Sequence, residues 1–85
     1  MITFEEALKI AEENKYGDKL AFIEEFPDRY VFEYVSAEGY GYIVGGPLSV
    51  MKGTGEVDIF HPPHYDDDYL NSGVVIFGEK DDDEE

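Results

Sequence analysis

Eighty-five residues suffice for one compact core and not for two, and 42% hydrophobic with 15% aromatic content allows the chain to fold despite its charge. The sequence has no cysteine, which excludes disulfides, thiol nucleophiles and Cys-type zinc sites, and no stretch approaches the roughly 20 apolar residues of a membrane span. The formal charge of -15, from 21 acidic against 6 basic residues, argues against direct nucleic-acid binding, which needs a concentrated positive surface.

Thr3-Phe4-Glu5-Glu6 has the Thr-x-x-Glu spacing of a capping box, so a helix is predicted to start here. Phe4, Ala7, Leu8 and Ala11 recur at i, i+3, i+4 and i+7, and Ile10 widens the stripe. Glu5, Glu6, Lys9, Glu12 and Glu13 take the opposite face. The stop is expected over residues 14–18, where Gly17 can adopt the left-handed conformation that ends a helix. Residues 20–26 read as a first strand, Pro27-Asp28 as a turn, and residues 29–36 as the returning strand. In that strand Tyr30, Phe32 and Tyr34 alternate with Val31, Glu33 and Val35. Apolar groups thus stand on both faces, and the expectation is that one packs on the helix while the tyrosine-rich one is partly exposed.

Residues 37–46 hold four glycines among Tyr40, Tyr42, Ile43 and Val44, and read as a connection with a short bridging strand. A hairpin over residues 47–60 follows: Leu48 and Val50 behind Pro47, the turn Lys52-Gly53-Thr54-Gly55, then Val57 and Ile59. His61-Pro62-Pro63-His64 breaks regular structure, since two successive prolines remove two amide donors. Residues 65–71 fit one helical turn around Tyr69 and Leu70 with an Asp as its cap. Val74-Val75-Ile76-Phe77, between Gly73 and Gly78, reads as a strand buried on both faces or paired along an edge. Left uncovered it is an aggregation hazard, so burial or use at an interface is expected, with the acidic run 79–85 as a charged gatekeeper. That run holds six acids and one Lys, and residues 1–78 still carry -10 from 15 acids and 5 basic residues. The organisation expected is a single domain over 1–78 with an acidic tail at 79–85. Its fold class is α+β, an N-terminal helix packed on an antiparallel sheet of four or five strands.

His61 and His64 stand beside Asp66, Asp67 and Asp68, a composition that can bind zinc or another divalent ion. The Pro-Pro between the histidines holds them on an extended segment where they need not converge, and the Asp run lacks the order of a calcium loop. Ser36, Ser49 and Ser72 have no nucleophile-elbow context, and Gly39-Tyr40-Gly41 and Gly45-Gly46 form no phosphate-cradling loop. No catalytic residue, cofactor site or metal site is therefore assigned. Tyrosine combines apolar area with a polar tip and is enriched at interface hot spots. Tyr40, Tyr42, Tyr65 and Tyr69, with Asp66, Asp67 and Asp68, are accordingly the candidate partner-binding residues for a basic, partly apolar protein.

The segment "GGPLSVMKGTGEV" resembles the core of the Immunity protein 35 family, small bacterial proteins that neutralise a toxin encoded beside them. The helix "EEALKIAEE", the strand "RYVFEYVS" and the late "DDDYL" extend the similarity over most of the chain. Tyr30 and Met51 stand near places where the family often has a Trp and an Asp or Asn. The resemblance implies stoichiometric binding of a toxin with no turnover, and it assigns no contact residue. With the acidity it leads to an expected partner, a cognate toxin with a basic nucleic-acid-processing cleft such as that of a nuclease or nucleobase deaminase. The expected setting is the bacterial cytoplasm, since the first residues lack the basic start and apolar run of a signal peptide, and the expected state is a monomer or weak homodimer. Two alternatives stand beside it: a small acidic chaperone-like protein, and a small metal-binding protein or enzyme using His61, His64 and the Asp66 to Asp68 run.

Overall fold

The computed structural model describes residues 1–15, 19–35 and 47–78. Along the chain come α1 (Phe4–Asn14), β1 (Lys19–Glu25), β2 (Arg29–Val35), β3 (Leu48–Met51), β4 (Val57–Ile59), a 3-10 turn (Pro62–His64), α2 (Asp67–Asn71) and β5 (Val74–Phe77). The strands form one antiparallel sheet in the order β4-β3-β2-β1-β5, with α1 packed on one face. This is the α+β architecture that the sequence patterns predict.

α1 starts on its capping box: the Glu6 amide donates to the Thr3 hydroxyl at 3.1 Å, and the Thr3 amide donates to the Glu6 carboxylate at 2.9 Å. The Asn14 side-chain amide donates to the Ile10 carbonyl at 2.8 Å, which satisfies one acceptor of the last turn. The backbone then leaves the helix in an extended conformation at Lys15. Gly17, expected to supply the stop, lies outside the described residues.

The sheet register places Ile23, Phe32 and Leu48 across three strands on the face beneath α1, with Tyr30 and Val50 one step along. Ala7 and Ala11, both fully buried, let the helix approach this aromatic surface closely. The tyrosine-rich face of β2 is thus the covered one, contrary to the expectation that it is partly exposed: Phe32 is 0% and Tyr34 2% exposed. The physical reason is complementarity. The small alanines on α1 leave room for large rings, and Phe4 meets Tyr30 edge-on at 5.4 Å. The Tyr34 hydroxyl, at the margin, donates to Glu12 at 2.8 Å, which lets a buried phenol keep a partner.

β1 and β2 join through Pro27-Asp28, with the Phe26 amide donating to the Arg29 carbonyl at 2.8 Å. β3 and β4 join through the expected glycine turn, where the left-handed conformation falls on Gly55, at φ +79°. From β4 at one edge the chain must cross the sheet to reach β5 at the other. Residues 60–73 make that crossing on the face opposite α1, where Phe60, Tyr65, Tyr69 and Leu70 pack with Phe26 and Val31. β5 pairs with β1 along an edge, and its four side chains are exposed, so the alternative of burial on both faces does not hold.

Candidate functional site

The crossing segment is anchored by the chain's sole arginine. Arg29 opens β2, and its guanidinium donates to the Tyr65 hydroxyl at 2.7 Å and pairs with Asp28 at 3.2 Å. It also stands 5.1 Å from the Tyr65 ring centre, 5.8 Å from that of Tyr69 and 5.9 Å from that of Phe60. Tyr65 and Tyr69 stack on each other at 4.8 Å, and each continues onto a phenylalanine: Phe60 at 5.2 Å and Phe26 at 5.0 Å. The Tyr69 hydroxyl donates to Asp28 at 2.5 Å.

This geometry shifts both members of the Asp28 and Tyr69 pair. Burial opposes the charge on Asp28, but hydrogen bonds from Tyr69 and Arg29 outweigh it and hold the carboxyl below its ordinary value. Burial and the Asp28 hydrogen bond push the Tyr69 phenol well up, so it remains a donor at neutral pH. Ser49, fully buried, lies 3.4 Å from the same guanidinium.

Of the residues chosen from sequence, Tyr65 and Tyr69 are half-buried with rings stacked and hydroxyls engaged, contacts that hold the crossing segment. Asp66 caps α2, accepting from the Tyr69 amide at 2.9 Å, as the sequence suggests for an Asp before this turn. Asp66, Asp67 and Asp68 are all exposed. Tyr40 and Tyr42 lie outside the described residues. His61 and His64 are exposed, and the 3-10 turn brings their rings to 5.2 Å, closer than an extended Pro-Pro segment implies. Among the described residues, no group of three or more His, Asp or Glu side chains converges as metal ligands.

Beside the arginine a groove of about 440 Å³ opens between β4 and Tyr65, lined by Arg29, Met51, Glu56, Val57, Asp58 and Tyr65. Glu56 and Asp58 are exposed, whereas Arg29 is already neutralised by Asp28. The groove therefore offers carboxylates to a visitor and withholds its own cation. Lys52 and Lys15 are spent in the same manner, at 2.7 Å from Glu25 and 3.1 Å from Glu12, while Lys9 and Lys19 are exposed. Glu56, Asp58, Arg29 and Asp28 were not singled out by sequence reasoning. The available signals were the lone arginine next to a Pro-Asp turn and the acids alternating with Val57 and Ile59. No protein-family model, curated protein or solved structure matches the chain.

Proposed function

We propose that this chain is a stoichiometric inhibitor that docks its acidic exterior onto a cationic protein, acting as an immunity protein toward a toxin with a basic nucleic-acid-processing cleft. The observation that carries the reading is the imbalance of surface charge. Lys15, Arg29 and Lys52 are held in internal ion pairs, while Glu56, Asp58, Asp66, Asp67 and Asp68 face solvent. Such a surface competes for the cationic groups that otherwise hold phosphate, and it steers association by raising encounter rates at low salt, by roughly 10 to 1000-fold. The resemblance of the Gly-Pro hairpin to immunity proteins supports the same reading from the sequence side.

The test is co-expression with the toxin gene that the reading expects beside this chain's own gene. Protection of the host, with a one-to-one complex recovered by size exclusion, is the expected outcome. Weak binding to many unrelated clients, with no protection, would instead place the chain with acidic chaperone-like proteins.

A further inference from the structure

His61 and His64 take no part in the docking surface just described, yet the turn between them is firmly built. The His64 amide donates to the His61 carbonyl at 2.9 Å, and the Tyr65 amide donates to the Pro62 carbonyl at 3.0 Å. In a 3-10 turn, with about three residues per repeat, side chains three apart stand one above the other. The two imidazoles accordingly lie with ring centres 5.2 Å apart and planes inclined by 38°, and both residues are exposed. Two imidazoles that share one tetrahedral ion, each with a nitrogen at about 2.1 Å from it, hold their ring centres roughly 5 Å apart. We infer that His61 and His64 form a chelate for a divalent transition-metal ion such as Zn²⁺ or Cu²⁺, with water in the remaining positions.

The segment is suited to this in two further ways. Pro62 and Pro63 preset the backbone, so less conformational freedom is lost when the two rings engage one ion. No Lys or Arg occurs from residue 53 to residue 79, and the exposed Asp66, Asp67 and Asp68 follow the turn directly, so the local field draws a cation in. The donors select its class: imidazole suits zinc, copper and nickel, whereas magnesium and calcium take oxygen. Among the described residues no group of three His, Asp or Glu side chains converges, so water completes the shell. Such an ion exchanges with solution, unlike one in a closed four-ligand structural site.

The site does not depend on the toxin reading and is tested on the full chain alone. Zn²⁺ is titrated into the parent, His61→Ala, His64→Ala and the double His variant, with calorimetry for affinity and imidazole NMR for the ligands. The expected result is one ion per monomeric chain, with both rings shifting together. Each single variant should bind at least tenfold more weakly and nearly as poorly as the double variant, which is the mark of a chelate. Cu²⁺ should bind more tightly than Zn²⁺, and Mg²⁺ should leave both rings unshifted. Unchanged amide spectra outside residues 60–66 show that the variants remain folded. Rings that titrate separately, with either single variant leaving the other ring's affinity unchanged, would overturn the inference. Zn²⁺ binding that survives in the double His variant and is lost in Asp67→Asn/Asp68→Asn, or an ion bridging two chains, would also overturn it.

Discussion

Arg29 shows how one side chain can organise a surface. Its planar guanidinium serves Asp28 and Tyr65 while lying against three rings, a geometry that an ammonium cannot reproduce. Arg29→Lys should therefore cost about 1 to 2 kcal/mol in urea unfolding and raise amide exchange across residues 65–71 more than in α1. Glu33 provides a second test at this scale, with a defined sign. Burial first, and then the nearby Glu24, raise its carboxyl above the ordinary 4.5. Between 4.5 and that raised value the folded chain holds a proton that the unfolded chain has released, so stability falls as pH rises through the window and the loss is complete above it. Glu33→Gln should melt at a higher temperature than the parent at neutral pH, and the difference should vanish below about pH 4. Asp28 has the opposite sign: its lowered pKa stabilises the fold at neutral pH, and that contribution is lost as pH falls through the folded value.

The elements whose signals are local were legible in the sequence. The Thr3 and Glu6 box marks the start of α1, the Pro-Asp and Lys-Gly-Thr-Gly turns mark two hairpins, and an Asp marks α2. What was hidden depends on contacts between distant segments. β2 carries apolar groups on both faces, so alternation alone does not decide which side α1 covers; Ala7 and Ala11 decide it by making room for rings. The sequence offers Tyr65 and Tyr69 as candidate partner-binding residues but does not show their stacking partners, Phe26 and Phe60, which directly follow β1 and β4. Similarly, β5 was recognisable as a strand, but its place beside β1 follows from the crossing of residues 60–73, for which the sequence carries no periodic signal. Phe32→Ala, at the centre of the α1 face, should cost about 3 to 5 kcal/mol by equilibrium denaturation. Gly78 follows β5 at φ +85°, with the Ala21 carbonyl occupying the space a Cβ would need. Gly78→Ala should destabilise by more than about 1 kcal/mol and raise exchange in β5 before the rest of the sheet.

For the whole molecule, the sheet separates two roles. One face packs against α1, and the other carries the crossing segment with the exposed Asp66, Asp67 and Asp68. Docking of the proposed kind would act mainly through long-range attraction, which salt weakens over a Debye length of about 8 Å at physiological ionic strength. The most direct measurement is the dissociation constant and association rate of the chain with the cationic toxin proposed as its partner, by surface plasmon resonance at low and high salt, for the parent and for Asp67→Asn/Asp68→Asn. The expected result is an affinity that falls at least tenfold between about 50 and 500 mM salt, with a shallower fall and slower association in the double variant. An affinity indifferent to salt and to both substitutions would contradict docking through the acidic exterior.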